Sequence, residues 1–195
     1  MPQHLIVISN GKPWLVIKEQ GSSGSGVALY FDRLFLVDRS QLKEVLQYTS
    51  EGHQSTFTYE PEREFSGRIL NCEFRNGIAR IEIEFVVEYL RGDTSTSAQD
   101  VSLFTKRQKA VFIRQLNRGR FALDTAKSEL SQNELDAVYN IDSLTNEAFL
   151  KYNFKELSQL ATGPGKSTRE WLKRFLDVCK SSEEKRRLRS LLASS

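Results

Sequence analysis

The first half of the chain alternates between apolar and polar positions, as strands do. The runs HLIVIS and PWLVIKE are rich in β-branched and aromatic residues, and the intervening NGK is typical of a hairpin turn. VALYFDRLFLVD predicts another strand, and GSSGSG at residues 21–26 predicts a flexible loop. In SQLKEVLQY, helical spacing of Leu42, Val45 and Leu46 predicts a short helix. Ser40 is its expected N-cap.

The best-specified element is an antiparallel hairpin at residues 68–90, read from RILNCEFRNGIARIEIEFVVEYL. A two-residue turn at Asn76-Gly77 sets a register with one consistently apolar face. A slip by one residue would mix the two faces, so the pattern predicts this register alone. The expected apolar pairs are Phe74 with Ala79, Cys72 with Ile81, and Leu70 with Ile83.

The second half of the chain predicts helices after an undecided segment. RGDTSTSAQD is a polar loop, and VSLFTKRQKAVFIRQL fits either a strand or a helix. Helical spacing then predicts helices at about 125–139, 143–161, 168–180 and 183–193, with Asp142 or Ser143 capping the second. The expected fold is α+β, with a β-rich domain at 1–122 and a helical domain at 123–195 that carries a helix-turn-helix or hairpin at 157–180.

Composition narrows the classes of protein that fit. The chain has 195 residues, 39% of them hydrophobic, and no apolar run approaches the ~20 residues of a membrane helix. The early apolar run Leu5 to Ile8 is too short for a signal peptide. We therefore expect a cytoplasmic protein without a membrane partner.

Little in the sequence points to catalysis. Cys72 and Cys179 read as core residues, and with His4 and His53 as the two histidines there is little material for a zinc site. Glu82 and Glu84 share a strand face, where a carboxylate row could hold Mg²⁺ in a nuclease but is more typical of a solvated sheet surface. The sequence favours a non-enzymatic protein, with no catalytic residues, no metal site and no cofactor.

Charge is distributed in blocks. Residues 101–120 carry six basic and no acidic residues, and residues 163–195 carry nine basic and four acidic ones. Such blocks indicate a polyanionic partner or solvated faces. Interleaved Phe104, Phe112 and Phe121 add the composition of a stacking groove, although such phenylalanines also fit a core. The basic candidates in the first block are Lys106, Arg107, Lys109, Arg114, Arg118 and Arg120.

The stretch GPGKSTREWL, residues 163–172, carries the most specific signal. It is not a Walker phosphate loop, because Leu160 stands where that motif needs its first glycine. It predicts a turn between helices, in which Gly163 or Gly165 takes a left-handed conformation. Ser167 and Glu170 have the spacing of a capping box.

The same stretch resembles the hairpin of helix-hairpin-helix DNA-binding modules. In that family two glycines flank the turn, a lysine and a threonine follow, and apolar residues lie at fixed places in both helices. Pro164 and Arg169 depart from that pattern. The resemblance implies that backbone amides and a lysine contact nucleic-acid phosphates, at the matching residues Gly163, Gly165, Lys166 and Thr168. The basic side of the following helix adds Arg169 and Lys173 to the candidate contacts, and the turn adds Ser167. The apolar matches are Leu157, Leu160 and Leu172.

The sequence therefore predicts a protein that binds DNA or RNA through the phosphate backbone, using the hairpin and the basic helices. The competing prediction is a subunit that binds a protein partner, with strands near residues 4–19 available for edge pairing. A metal nuclease would require Glu82 and Glu84 to act in cleavage.

Overall fold

The computed structural model describes residues 4–9, 12–24, 26–38, 41–55, 60–91, 101–115, 119–139 and 144–194. Within them lie eight strands and five helices. The strands are β1 His4–Ser9, β2 Lys12–Gly24, β3 Val27–Asp38, β4 Gln41–Gln54, β5 Glu62–Arg75, β6 Ile78–Leu90, β7 Ser102–Gln115 and β8 Ala122–Leu123. The helices are α1 Gln132–Tyr139, α2 Asn146–Tyr152, α3 Phe154–Thr162, α4 Lys166–Val178 and α5 Glu183–Ala193. The predicted α+β class, with a β-rich first half and a helical second half, is confirmed.

The strands form one antiparallel sheet in the order β1 to β8, so each strand lies beside its neighbours in sequence. Four connections have only two residues, namely those between β1 and β2, β2 and β3, β3 and β4, and β5 and β6. A tight turn of this kind returns the chain alongside the strand that it has just left. In the first hairpin Ser9 pairs with Lys12. The predicted turn residues Asn10 and Gly11 lie outside the described residues.

The predicted hairpin at residues 68–90 is present. β5 ends at Arg75 and β6 begins at Ile78, with Asn76 and Gly77 between them. Both turn residues have positive φ, 51° and 76°, which is the conformation that a two-residue type I′ turn requires. Asparagine and glycine are the residues that adopt it at least cost, so the local sequence determined this turn.

Two predictions in the first half are wrong. The GSSGSG stretch is not a loop over its described part, because β2 continues through Gly24 with a register irregularity between Gln20 and Ser23, and Gly26 turns the chain at φ 78°. SQLKEVLQY is not a helix but the start of β4. Pairing with β3 and β5 overrides its weak helical pattern. Its expected cap, Ser40, lies outside the described residues.

The undecided segment is a strand. Residues 102–115 form β7, which lies between β6 and β8, and Ala110, Val111 and Phe112 are all buried. Lysine, arginine and glutamine occupy many of the other positions. Their helical propensity is weak compared with the strand pairing on both sides. The polar loop predicted at residues 91–100 lies outside the described residues except for Arg91.

Four helices were predicted, and the described residues contain five. The first begins at Gln132 rather than near residue 125, and the second breaks at Asn153 into α2 and α3. The N-cap of α2 is Thr145, whose hydroxyl accepts a hydrogen bond from the Ala148 amide at 3.1 Å. Asp142 and Ser143, the expected caps, lie outside the described residues. α4 spans 166–178 rather than 168–180, and α5 has its predicted bounds.

The chain divides into two compact units. The first contains residues 1–53, 65–87 and 106–132, and the second contains 54–64, 88–105 and 133–195. The first unit buries side chains from many strands, among them Leu34, Val45, Ile81, Ile83 and Phe85.

The second unit has an aromatic core. Phe149 of α2 is fully buried, and its ring centroid lies 4.9 Å from that of Tyr89 and 5.4 Å from that of Phe175. Trp171 stacks on Phe175 at 5.4 Å. Edge-to-face and offset contacts of this kind add to the stabilisation from apolar burial. They fix the strand end at Tyr89 against helices α2 and α4.

The outer edge of β7 is covered by the chain that follows β8. The Ser128 hydroxyl accepts a hydrogen bond from the Val111 amide at 2.9 Å, and a Glu129 carboxylate oxygen accepts one from the Lys109 amide at 2.8 Å. The Asp124 and Glu129 amides donate to the carbonyls of Val111 and Lys109. Side chains and main chain together thus satisfy groups that a further strand would otherwise pair with.

Candidate nucleic-acid interface

Within the stretch GPGKST, residues 163–165 form a three-residue turn between α3 and α4, and Lys166, Ser167 and Thr168 begin α4. α3 ends at Thr162, and α4 begins at Lys166. On either side of the turn, Leu157 and Leu172 are fully buried and Leu160 is half-buried. These apolar residues place the two helices and leave the turn at the surface, where Lys166 and Ser167 are exposed.

The glycines act differently from the prediction. Gly163 has φ −72° and Gly165 has φ −70°, so neither adopts the left-handed conformation expected at the end of α3. The predicted capping box is also wrong, because the N-cap of α4 is Gly165 and Ser167 is already inside the helix. Gly165 has no side chain, so it leaves the first amides of α4 without a side-chain cap.

Arg169 holds the turn together. Its Nη1 donates a hydrogen bond to the Gly163 carbonyl at 2.7 Å, and its amide donates to the Gly165 carbonyl at 3.0 Å. The side chain is half-buried. A charged donor at the C-terminal end of α3 satisfies a carbonyl that the helix itself leaves free, and it also suits the helix dipole. Arg169 therefore has a structural role in this turn, which the sequence pattern did not indicate.

The N-terminus of α4 has the electrostatic character of an anion site. Its first turn contains Lys166, Ser167 and Thr168 and no acidic residue. Amides at a helix start point along a dipole that favours negative charge. Lys166 and Lys173 are exposed, and neither forms an ion pair within the part of the chain that the structure describes. Backbone amides and two cations are thus available to an anion at one helix.

The central basic block is largely engaged with carboxylates. Arg107 Nη1 lies 3.1 Å from Glu84 Oε2, and Lys109 Nζ lies 3.7 Å from Glu82 Oε1. Arg68 reaches Glu84 from the neighbouring strand at 3.0 Å. A phosphate would have to compete with these carboxylates for the same cations. This part of the block is therefore a weaker candidate than the N-terminus of α4.

The remaining predicted residues of the block have varied surroundings. Arg114 is only 5% exposed, and Lys106 is half-buried; both have interactions within the fold. Arg120 is exposed and lies 3.5 Å from Glu44. Arg118 lies outside the described residues. Phe112 and Phe121 are buried and Phe104 is half-buried and packs on Tyr89, which makes them core residues rather than a stacking groove.

The Glu82 and Glu84 row is an ion-pair ladder across β5, β6 and β7. Burial by itself raises the pKa of the Glu84 carboxyl, but hydrogen bonds from Arg107 and Arg68 outweigh burial and hold the pKa below its ordinary value. The Glu84 carboxylate is therefore ionised at neutral pH and forms ion pairs with both Arg68 and Arg107. No group of three metal-ligating side chains occurs among the described residues.

These ion pairs could have been predicted from the sequence. Arg107 and Lys109 share one face of a strand, as do Glu82 and Glu84 on the adjacent strand. Assigning residues 102–115 as a strand would therefore have placed the two rows side by side.

Both cysteines lie within the described residues and form no disulfide, and Cys72, which was also predicted as a core residue, is only half-buried. The Cys179 thiol is buried, which raises its pKa to about 12, and it donates to the Phe175 carbonyl at 3.2 Å. It is a core residue, as predicted. None of the helices in the described part of the chain is both long and apolar enough to span a membrane.

Comparison with known proteins gives no relative. No protein-family model matches the chain, and neither the curated proteins nor the solved structures include a significant match. The geometry and charges at the N-terminus of α4 are therefore the basis for a function.

Proposed function

We propose that the chain binds nucleic acid through the phosphate backbone, at the N-terminus of α4 and the turn that precedes it. One observation carries the proposal: the first turn of α4 offers amides without a side-chain cap, no acidic residue, and an exposed lysine without an ion-pair partner in the described residues. Location in the cytoplasm, where RNA and, in cells without a nucleus, DNA are present, belongs to the same proposal.

The charges of the site support a backbone contact rather than reading of bases. Helix amides and lysine ammonium groups recognise a phosphate whatever the neighbouring base. Binding of this kind releases counterions from the nucleic acid, so its affinity falls steeply as salt rises. Each lysine that contacts a phosphate contributes about 0.9 to the slope of log K against log salt for a duplex, and about 0.7 for a single strand.

The test is fluorescence anisotropy with labelled single- and double-stranded DNA and RNA, titrated with salt. Lys166→Gln should weaken binding several-fold and lower the salt slope by about 0.7–0.9. Lys155→Gln is the matched control, because Lys155 is an exposed lysine on α3 that also lacks an ion pair in the described part of the chain. It removes the same charge away from the turn.

Two results would contradict the proposal. The first is an equal loss of affinity in both variants, since the effect would then reflect overall charge. The second is the absence of binding at low salt in the unchanged protein. That result would favour the other function indicated by the sequence, a subunit whose basic surface meets an acidic protein.

A further inference from the structure

A groove of about 370 Å³ lies between α4 and α5 in the second unit. Lys173 and Asp177 stand one turn apart on α4. Arg189, Leu192 and Ala193 lie at i, i+3 and i+4 on α5, so they share one face of that helix. The volume is near the lower end of the range for small-molecule sites.

The groove combines an apolar floor with a basic rim. Leu192 is only 7% exposed and belongs to the core, whereas Lys173 and Arg189 are both open to solvent. Arg189 Nη2 lies 2.7 Å from Asp177 Oδ1, which fixes the guanidinium at the rim. Lys173 has no ion pair among the residues that the structure describes. Lys173 and Arg189 carry two positive charges and Asp177 one negative charge, so the rim has a net positive charge around the apolar patch.

We propose that this groove binds one nucleoside phosphate unit. The phosphate lies between Lys173 and Arg189, and the sugar or base covers Leu192 and Ala193. Charge complementarity and the mixed lining carry the inference, because an anion with an attached organic group uses both parts of the groove. If the bound nucleotide is part of a nucleic-acid strand, this inference rests on the proposed function. If the groove binds a free mononucleotide, the inference is independent of the proposed function.

The groove also implies a preference for unpaired nucleic acid. A nucleotide within a duplex has its base stacked and paired, so it must leave the helix before it can lie against Leu192. A single strand requires much less rearrangement. We therefore expect single-stranded probes to bind more tightly than duplexes of the same length, and the extra affinity to depend on Arg189.

A change at Asp177 tests the proposal directly. The Asp177 carboxylate forms an ion pair with Arg189, and it repels an incoming phosphate. Asp177→Asn removes both effects. We expect this variant to bind a nucleoside monophosphate about 2–5 times more tightly, as an exposed ion pair permits. A stability defect would instead weaken binding, so the sign of the change separates the two explanations.

The experiment measures binding of adenosine 5′-monophosphate by NMR titration and of a labelled oligothymidine by anisotropy, both with the full chain. Arg189→Gln should weaken binding of the mononucleotide by about tenfold, the effect of losing one charge-assisted hydrogen bond. Arg186→Gln is the control, since Arg186 is an exposed arginine of α5 that does not line the groove. Thermal unfolding checks that each variant remains folded.

The outcomes separate this inference from the proposed function. If the mononucleotide binds in an Arg189-dependent manner and the oligonucleotide does not bind, the groove stands and the proposed function fails. A second outcome is that the oligonucleotide binds through Lys166, while Arg189→Gln weakens the binding of each ligand no more than Arg186→Gln does. In that case the proposed function stands and the groove inference is overturned. Absence of mononucleotide binding, or weaker binding in a folded Asp177→Asn variant, also overturns it.

Discussion

Gly67 offers a sharp test of how closely the strands of the first unit pack. It is buried in β5, and a Cβ added to it would lie 2.5 Å from the backbone oxygen of Thr49 in β4 and 3.0 Å from Cε1 of Phe85 in β6. The nearer atom belongs to the main chain, so no change of rotamer can move it away. Gly67→Ala therefore requires β4 and β5 to separate by about 0.5 Å to reach even the lower limit of Cβ contacts.

The expected cost follows from two opposing effects. Adding a carbon to a well-packed interior destabilises a protein by about 1–3 kcal/mol. Replacing a strand glycine with alanine recovers about 0.5–1 kcal/mol, because alanine loses less conformational entropy on folding. Because the clash involves a backbone atom, the upper part of the first range applies, and the net loss is about 1–2 kcal/mol. For a chain of this length that corresponds to a fall in Tm of about 2–8 °C.

Gly24→Ala is the matched control. Gly24 lies in β2 without a positive φ, and apart from its chain neighbours no atom of the described residues lies within 4 Å of its added Cβ. The same substitution there should leave stability unchanged or raise it by about 0.4–1 kcal/mol. Urea unfolding followed by circular dichroism measures both variants. Equal stability of Gly67→Ala and Gly24→Ala would refute the prediction, because the strands would then not pack as closely as the structure shows.

Two further predictions concern titration and helix capping. Burial raises the pKa of Tyr89 to about 12, and it also raises the pKa of Tyr48 and Tyr139. A tyrosine whose pKa is higher in the folded than in the unfolded state contributes its full stabilisation below pH ~10, the pKa in the unfolded state. This contribution is lost as the pH rises through the pKa in the folded state. The free energy of unfolding should therefore fall between pH 10 and 12, and it should fall less steeply in Tyr89→Phe. Urea titrations at several alkaline pH values measure how steeply this free energy falls with pH. Equal slopes in the two proteins would contradict the raised pKa of Tyr89. The Ser182 hydroxyl caps α5 by accepting a hydrogen bond from the Lys185 amide at 3.1 Å, so Ser182→Ala should cost about 1 kcal/mol in the same unfolding assay, and Ser182→Gly only a few tenths.

The elements that could be predicted from the sequence are those that local chemistry determines. Asn76 and Gly77 specify their turn by backbone preference alone, and α5 follows from its capping serine and apolar spacing. The start of β4 could not be found in this way. Leu42, Val45 and Leu46 fit a helix as well as a strand, and only pairing with β3 and β5 decides between them.

The turn at the candidate site was predicted in position but not in detail. The turn at residues 163–165 and the exposed Lys166 follow from the order of residues along the chain. The hydrogen bond from Arg169 to the Gly163 carbonyl depends on how the turn closes, and the pairing of Arg189 with Asp177 depends on helix packing. Contacts between residues from different elements appear only once the elements are placed.

The covered edge of β7 limits how this sheet can associate with copies of itself. The amides of Val111 and Lys109 donate to the Ser128 hydroxyl and the Glu129 carboxylate, so an incoming strand could not pair with these two donors. β1 is the terminal strand on the opposite side of the sheet. Pairing of two β1 edges would join two molecules about a two-fold axis and then stop, whereas a fibre needs an available edge on both sides of every molecule. The two side-chain hydrogen bonds therefore protect this part of β7 from the strand addition that a fibre would require.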